Sequence, residues 1–397
     1  MSDSQSKSLD RKKLLADPIL VAAIIGIFLF LLLFIVYPLS ILLVDSVYVD
    51  QKLTLSVFFR IFDMPQFRTA ITNTLLLGVV SGICATVIGF LFAYVDMYVD
   101  VGGKTVKGLF NAVSVLPVVS PPFVLSLSAI MLFGRTGIIT RNLFNLSTTA
   151  LYGLPGIALV QTLTFFPVCY LMLKGLLKNI DPSLEEASRN MGASRWKVFT
   201  SVTFPLMLPG IGNAFLVTFI ESVADFANPM IIGGNYDTLA TSIYLQLTGA
   251  YDKSGATAMA VVLLVISMGL FILERYWLER KSVATLTGKA SRERALITDA
   301  SVRAPLVTFC VVISTFVLVL YVLVVFGSLF KLWGRNYSLS LKWYQYVFKN
   351  NGYRVFLDSI WLSLIASPLT AIFSMIIAYL VVKRNFTGKG VMEFIAM

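Results

Sequence analysis

Long apolar runs constrain this chain more than any other feature, because each is long enough to cross a lipid bilayer as a helix. The first extends from Ile19 to Val44, about 26 residues, where about 20 suffice for a membrane-spanning helix. Backbone groups within lipid can hydrogen-bond only with one another, so runs of this kind fold as helices. The sequence therefore predicts an all-α polytopic membrane protein. The expected spans are 19–44, 69–94, 109–133, 154–173, one that begins near 210, 255–273, 305–330 and 358–382.

The charge distribution predicts how the chain is oriented in the membrane. The formal net charge is +11, although only 13% of the residues are charged. About two thirds of the Lys and Arg residues fall in segments on one side of the predicted spans, which the positive-inside rule assigns to the cytoplasm. Those segments include an N-terminal tail, residues 1–17, and a basic linker, residues 275–304. The excess charge thus indicates topology, with the N-terminus in the cytoplasm, and no nucleic-acid partner is expected.

Residues suited to catalysis or metal binding are scarce. The sequence contains no histidine, and Cys84, Cys169 and Cys310 lie in apolar surroundings without the spacing of a metal site. A Gly-Gly-Lys-Thr run at 102–105 resembles the end of a phosphate-binding loop, but Tyr98 stands where that loop has its first glycine. We expect no catalytic residue, no fixed metal site and no cofactor bound by this chain, so that it is not an enzyme.

One charged stretch, residues 181–209, separates two apolar runs and carries several helix-boundary signals. An Asp-Pro pair favours the start of a helix, and a glycine ten residues later suits the left-handed residue that ends one. A serine then favours the start of a second short helix, which two prolines are expected to stop. The residues that give these signals are Asp181, Pro182, Gly192, Ser194, Pro205 and Pro209. The stretch therefore predicts a helix-turn-helix just outside the membrane.

The first of these two helices is predicted to have one apolar and one polar face. Leu184, Ala187 and Met191 recur at helical spacing, which leaves Glu185 and Glu186 on the other side.

The same stretch resembles the EAA loop of bacterial ABC-importer permeases. That family has Glu-Ala-Ala, three residues, glycine, nine residues, isoleucine, one residue and Leu-Pro. This sequence keeps every interval, with serine, valine and phenylalanine in place of the second alanine, the isoleucine and the leucine. The matching residues are Glu186, Ala187, Ser188, Gly192, Val202, Phe204 and Pro205. The resemblance implies a type I ABC-importer transmembrane fold, in which Glu185, Glu186, Ala187, Ser188, Gly192 and Pro205 couple the permease to an ATPase.

The resemblance also implies partners and a location. ATP would be bound by a separate ABC ATPase dimer, and a periplasmic substrate-binding protein would dock on exterior segments such as 134–150 and 235–254. The chain would then lie in the bacterial inner membrane as a multi-pass subunit.

An acidic stretch in the fifth span suggests a translocation pathway. Glu221 lies roughly 16 Å into that span, where a carboxylate needs water or a partner. Glu221, Asp225 and Asn228 are the candidate pathway residues, although an early helix end at Asn228-Pro229 would instead place Asp225 among the exterior headgroups. The stretch from Glu221 to Gly234 resembles permeases for ferric iron, and carboxylates suit such a hard cation. Thiamine, phosphonate, sulfate and polyamine permeases, or an ion-coupled secondary carrier, remain as alternatives.

An internal repeat predicts how the chain is divided. The eighth span repeats the second after a shift of about 285 residues, and the small residues Gly78, Gly82, Gly89 and Ala93 of the second span recur as small residues in the eighth. We therefore expect a first six-span permease unit, residues 18–274, and the first two helices of a second unit, residues 305–397. The same shift would place a second EAA-like loop beyond Met397, so the second unit is expected to be incomplete.

Overall fold

The computed structural model of the protein describes residues 17–49, 51–145, 149–273, 296–384 and 386–396. Up to residue 190 the elements are α1 (Pro18–Leu31), α2 (Tyr37–Val47), β1 (Tyr48–Val49), β2 (Lys52–Leu53), α3 (Ser56–Asp63), α4 (Pro65–Tyr98), α5 (Lys104–Val119), α6 (Val124–Phe133), α7 (Leu154–Asn179) and α8 (Pro182–Asn190). The later elements are α9 (Arg195–Val198), α10 (Phe204–Ala224), α11 (Ala227–Ile232), α12 (Leu239–Thr248), α13 (Lys253–Leu273), α14 (Ala300–Ser328), β3 (Phe330–Leu332), β4 (Asn336–Leu339), α15 (Lys342–Lys349), α16 (Gly352–Lys383) and α17 (Lys389–Ala396). Three π-helical turns, Leu32–Val36, Ile138–Leu143 and Phe199–Thr203, complete the helical part.

Eight helical stretches within the described ranges are long and apolar enough to cross a membrane. They are Pro18–Val47, Pro65–Tyr98, Val124–Arg141, Leu154–Asn179, Arg195–Ala224, Lys253–Leu273, Ala300–Ser328 and Gly352–Lys383. The prediction of an all-α polytopic membrane protein is confirmed.

The third predicted span, 109–133, is not a single helix. It consists of α5 and α6, which are separated at Ser120–Phe123. Ser120 precedes two consecutive prolines and takes an extended conformation, with φ −83° and ψ 153°. The residue before a proline is driven out of the helical region, and neither proline has an N–H to continue the helix. The expectation of one span was therefore wrong, because the helix is broken near the middle of residues 109–133.

The prolines expected to stop the second helix of the 181–209 stretch do not stop it. Helix continues from Arg195 to Ala224, through the π-helical turn Phe199–Thr203. Pro205 lies in the first turn of α10, directly after that wider turn, and the early turns of a helix tolerate a residue without an N–H. Pro209 lies inside α10 without ending it.

The order of elements repeats along the chain. A span, a β-hairpin, a short helix and a longer span occur first as α1–α2, β1–β2, α3 and α4, and again as α14, β3–β4, α15 and α16. The hairpins are antiparallel, with Tyr48 opposite Leu53 and Phe330 opposite Leu339. The ends of α4 and α16, at Tyr98 and Lys383, and the starts of α5 and α17, at Lys104 and Lys389, are separated by the shift that the sequence repeat shows.

The first span of each repeat packs against helices of the other repeat. Tyr321 of α14 hydrogen-bonds to Ser120 at 2.5 Å, and the Trp333 indole donates to the Met131 carbonyl at 2.9 Å. Phe30 of α1 stacks on Phe373 of α16, with ring centroids 4.5 Å apart. Of the residues that the structure describes, those up to Thr54 and from Leu341 onward therefore form one compact unit, and those in Leu55–Ser340 form another. The division into 18–274 and 305–397 concerns the sequence repeat and stays a prediction.

The centre of the Leu55–Ser340 unit is formed by α4, α7 and α10. Small residues of α4 allow the close approach: a Cβ on Gly78 would lie 3.1 Å from the Phe219 ring, and one on Gly82 would lie 3.0 Å from the Phe215 ring. Gly89 meets α7 at Cys169 in the same way. The small-residue stripe thus sets the distances between α4 and its two neighbours.

Candidate functional site

The helix-turn-helix is built by local hydrogen bonds at residues 181–198. The Asp181 carboxylate accepts from the Ser183 N–H at 2.9 Å and caps α8, and this bond, with one from the Ser183 hydroxyl, lowers the pKa of Asp181. Gly192 follows α8 with φ +84°, a conformation that favours glycine. Ser194 then caps α9 by accepting from the Lys197 N–H at 3.3 Å. The predicted starts of both helices and the predicted glycine turn are confirmed.

The helix-turn-helix presents its apolar side chains outward. Met191 is 82% exposed and Trp196 is 72% exposed, and Leu184 and Ala187 are exposed as well. Glu185, on the polar face of α8, is only 2% exposed. An exposed apolar surface next to a buried carboxylate is the reverse of an ordinary surface helix, and such surfaces mark sites of association.

Glu185 is buried because two hydroxyl groups bind it. Its Oε1 atom accepts from the Tyr98 hydroxyl at 2.5 Å and from the Thr203 hydroxyl at 3.0 Å. Tyr98 is the last residue of α4, and Thr203 ends the π-helical turn after α9. Tyr98, 87 residues before Glu185, and Thr203, 18 residues after it, therefore meet at one carboxylate oxygen.

The other predicted coupling residues lie on and after α8 in different environments. Glu186 is half-buried, Ala187 is exposed and Ser188 is buried. Gly192 and Pro205 are exposed, and no atom lies within 4 Å of the place where a Gly192 side chain would begin.

An aromatic ladder, formed by Phe90, Tyr94 and Tyr98 of α4 with Phe199 and Trp196, joins the helix-turn-helix to the second span. Tyr94 stacks on Tyr98 with centroids 4.6 Å apart and meets Phe199 edge-on at 5.5 Å. Phe199 stacks in turn on Trp196 at 5.5 Å. The sequence analysis missed this ladder, although aromatic residues four apart near the end of an apolar span are a signal that could have revealed it.

The end of the basic linker attaches to the same place. Residues 274–295, most of the predicted linker 275–304, lie outside the described residues, as do residues 1–16 of the predicted tail. Ile297 donates its N–H to the Tyr98 carbonyl at 2.7 Å and accepts from the Asp100 N–H at 3.2 Å. Ile297 is also buried, so the linker returns to the end of α4 before α14 begins.

A buried ionic cluster lies one step further into α4 and was also missed. Asp96 pairs with Lys174 at 2.6 Å and with Lys107 at 3.5 Å, and it accepts from the Tyr170 hydroxyl at 3.1 Å. The Tyr170 hydroxyl oxygen also lies 2.8 Å from the Asn111 side-chain oxygen. The cluster ties α4, α5 and α7 together, and charged residues at the ends of apolar runs were the available signal for it.

The predicted pathway residues fall into two groups. α10 ends at Ala224, earlier than the alternative end at Asn228-Pro229, and Asp225 follows it. The Asp225 carboxylate accepts from the Gln161 amide and the Asn228 amide, both at 2.8 Å, and from the Ala227 N–H at 3.0 Å. Asp225 and Asn228 therefore lie together in a polar cluster that shapes the turn into α11.

Gln161 extends this polar cluster to two further helices. Its carbonyl oxygen accepts from Ser81 of α4 at 2.9 Å and from Ser222 of α10 at 2.5 Å. Ser126 of α6 donates to the Asn228 side chain at 2.8 Å. The cluster thus joins α4, α6, α7, α10 and α11, and Asp225 is saturated by donors from the chain itself.

Glu221 is placed differently. It lies within α10, and its Oε2 atom is buried without a hydrogen-bond partner in the described part of the chain. A carboxylate oxygen in that position retains the capacity to accept a donor or to bind a cation. Within the described ranges there is no group of three or more His, Cys, Asp or Glu side chains that could hold a metal ion.

Comparison with known proteins places this geometry in context. Residues 85–282 match the family described as binding-protein-dependent transport system inner membrane component. Over 97% of its length the chain is 35% identical to the putative ferric transport system permease protein FbpB 1 of Haemophilus influenzae and 34% identical to the ferric transport system permease protein FbpB of Actinobacillus pleuropneumoniae. It spans 62% and 57% of the length of these two relatives. Over 44% of its length it is 30% identical to the molybdenum transport system permease protein ModB of Haemophilus influenzae, of which it covers 78%.

A solved structure shares the fold. The chain matches a bacterial ABC transporter involved in the import of the acidic polysaccharide alginate with a TM-score of 0.60 at 19% identity. The match covers 68% of this chain and 99% of the solved one. The predicted resemblance of the fold to ABC-importer permeases is confirmed.

Proposed function

The chain belongs to the family of binding-protein-dependent transport system inner membrane components, and from this premise we propose that it is the permease subunit of an ATP-driven importer of ferric ion. Two ferric transport permeases that match 97% of the chain support the choice of solute. The outward apolar surface of the helix-turn-helix is the observation that carries the role of an ATPase-coupled permease.

That surface would receive a separate ATPase. Met191 and Trp196 are exposed, as are Leu184 and Ala187. Glu185, on the other face of α8, is buried and accepts a hydrogen bond from Tyr98. Burial of such side chains in a cleft of a partner contributes about 25 cal/mol per Å² of apolar area. An ABC ATPase dimer that binds ATP and seats this surface would move α8 on each cycle. Glu186, Ala187, Ser188, Gly192 and Pro205 are proposed as the coupling residues, with Glu185 acting from inside.

This arrangement sets the proposed orientation. The helix-turn-helix faces the cytoplasm, where ATP is available, and an even number of spans precedes it, so the N-terminus lies in the cytoplasm as well. A periplasmic substrate-binding protein would dock on the opposite side, at segments 134–150 and 235–254. The subunit then lies in the inner membrane of a bacterium.

The proposed pathway runs beside Glu221. Its unpartnered oxygen is a hard ligand in a mostly apolar helix, and ferric ion is a hard cation. Asp225 and Asn228 contribute differently, because their polar atoms already bind one another and Gln161. We assign them to the shape of the pathway where α10 gives way to α11, and Glu221 to contact with the solute.

The test uses the whole transporter, reconstituted in liposomes with its ATPase and with a ferric-loaded binding protein outside. We expect ATP-dependent accumulation of radioactive iron, slowed at least about tenfold by Glu221→Gln if a charge-assisted contact is lost, with the ATPase still bound. Asp63→Asn, which neutralises an exposed acid at the end of α3, is the matched control and should leave uptake unchanged. Equal uptake by the Glu221→Gln and Asp63→Asn variants would remove Glu221 from the pathway.

The same assay separates the other solutes and mechanisms. Molybdate is the second candidate, because a molybdenum permease matches part of the chain, although an acidic lining suits an oxyanion poorly. ATP-dependent uptake of molybdate or sulfate in place of iron would reassign the substrate and leave the permease role intact. Uptake that needs an ion gradient but no ATPase would indicate a secondary carrier and contradict the proposal.

A further inference from the structure

The Tyr98 hydroxyl joins the second span to the helix-turn-helix at a point that the family motif does not include. We propose that Tyr98 is a positioning residue for coupling: through Glu185 and Thr203 it fastens the helix-turn-helix to the end of α4, so that movement of α8 is transmitted to α4. We call Tyr98, Glu185 and Thr203 the latch. The inference rests on the proposed function and assigns one residue outside the EAA-like stretch to it.

The latch has the properties of a rigid connection. Tyr98, Glu185 and Thr203 are all at least 96% buried, so water does not replace a broken bond inside the protein. Both hydroxyls donate to the same oxygen, Oε1, at 2.5 and 3.0 Å. Hydrogen bonds to a carboxylate are about twice as strong as those between neutral groups, and a buried donor left without an acceptor is costly.

Each part of Tyr98 is held by a different segment. Its ring stacks on Tyr94, its hydroxyl binds Glu185, and its carbonyl accepts from Ile297 of the linker. The side chain therefore cannot follow α8 unless the end of α4 moves with it.

α4 is well placed to pass the movement on. It packs closely against α7 and α10 through Gly78, Gly82 and Gly89. Its Ser81 donates to Gln161, which in turn donates to Asp225 at 2.8 Å. A displacement of the Tyr98 end thus reaches the polar cluster at the turn into α11 through one helix and two hydrogen bonds.

The first experiment compares two tyrosine-to-phenylalanine substitutions that each remove one hydroxyl from a helix contact. Tyr98→Phe keeps the aromatic ring and removes the bond to Glu185. Tyr321→Phe is the control, because the Tyr321 hydroxyl of α14 is hydrogen-bonded to Ser120 at 2.5 Å, away from the latch. In the reconstituted complex we expect Tyr98→Phe to reduce the number of ferric ions imported per ATP hydrolysed by about tenfold or more, the factor that one hydrogen bond to a carboxylate supports. Equal ratios for the two variants would overturn the inference.

Conservative substitutions separate positioning from simple destabilisation. Thr203→Ser retains a hydroxyl at the latch and should keep the wild-type import ratio, whereas Thr203→Val keeps the size of the side chain and should lower that ratio. Glu185→Gln retains a carbonyl acceptor and should lie between wild type and Tyr98→Phe. If the number of ferric ions imported per ATP fell in Thr203→Ser as well as in Thr203→Val, the site would only stabilise the fold.

A second measurement does not depend on the solute. Hydrogen exchange of the amides of residues 184–193 reports how firmly α8 is held in the full chain. We expect exchange to be faster in Tyr98→Phe by about tenfold or more and unchanged in Tyr321→Phe, because only the first variant releases Glu185. Unchanged exchange in Tyr98→Phe would refute the latch whichever solute is transported. A wild-type complex without ATP-dependent iron uptake would instead refute the proposed function.

Discussion

The ammonium group of Lys174 lies 2.6 Å from Oδ2 of Asp96, a carboxylate that is only 1% exposed. Removal of one partner of a buried ion pair leaves the other charge without compensation, which typically costs about 3–5 kcal/mol. The Lys174 and Lys107 side chains are 31% and 43% exposed, so water solvates their charges in part, and we expect Asp96→Ala to lower the free energy of unfolding by about 1–3 kcal/mol. Thermal unfolding of the detergent-solubilised protein measures the loss.

An exposed ion pair in the same unit is the matched control. Arg60 lies 2.8 Å from Asp252, but its side chain is 51% exposed, and such pairs contribute about 0–1 kcal/mol. Arg60→Ala should therefore shift the unfolding temperature much less than Asp96→Ala. Equal shifts in the two variants would show that the Asp96 cluster is hydrated and weak.

Close packing of α4 against α7 leads to a second prediction. A methyl group on Gly89 would lie 2.5 Å from the Cβ atom of Cys169 and 2.8 Å from the Tyr170 nitrogen. Neither atom is at the end of a flexible side chain, so Gly89→Ala should separate the helices and cost about 1–3 kcal/mol. Gly175→Ala in α7, where no atom lies within 4 Å of the new methyl group, should be neutral or stabilising by up to about 1 kcal/mol. Thermal unfolding of the two variants tests this prediction, and equal unfolding temperatures for Gly89→Ala and Gly175→Ala would contradict it.

The turn at Gly192 gives a prediction about coupling. Its φ of +84° strains any residue with a Cβ, although the space around it is open. Gly192→Val should therefore insert normally but abolish transport and the stimulation of ATP hydrolysis. Gly192→Asn should retain part of both, because asparagine tolerates the left-handed conformation. Wild-type iron uptake by Gly192→Val would remove this turn from the coupling mechanism.

The lowered pKa of Asp252, the residue just before α13, leads to a prediction about stability at acidic pH. Burial acts to raise the pKa of Asp252, but the Gly255 N–H, the Gln246 amide and the Arg60 guanidinium together lower it. Since the folded-state pKa lies below the unfolded one, the stabilisation is complete above pH ~4 and is lost as the pH falls through the folded-state value. When the pH falls from about 5 to about 2.5, the unfolding temperature of Asp252→Asn should decrease less than that of the wild type. Parallel pH profiles would contradict this assignment.

Local sequence signals predicted the features that depend on few residues. Apolar run length predicted the spans apart from the third, and Asp181, Gly192 and Ser194 marked the helix-turn-helix, because caps and turns are decided by one or two side chains. Prolines were less reliable. Pro121 and Pro122 divide a span that was expected to be one helix, while Pro205 lies within a span that it was expected to precede.

Features that depend on distant partners could not be read from the sequence. Glu185 was assigned to the polar face of a surface helix, yet Tyr98, 87 residues earlier, buries it. Asp225 was a candidate for contact with the solute, yet the Gln161 amide, 64 residues earlier, saturates it with help from α11. Helical periodicity gives the direction of a side chain relative to its own helix and carries no information about which helix lies opposite.

The exchange of first spans between the two repeats affects how this protein is made. α1 leaves the ribosome before α16, and its stacking partner Phe373 follows Phe30 about 340 residues later, which takes about 20–70 s at ~5–20 residues per second. During that interval the packing contact between α1 and α16 cannot form. A strongly apolar α1 is stable in the membrane without that partner. A polar substitution of Phe30 would therefore impair membrane insertion of α1 during biosynthesis, before the finished transporter forms.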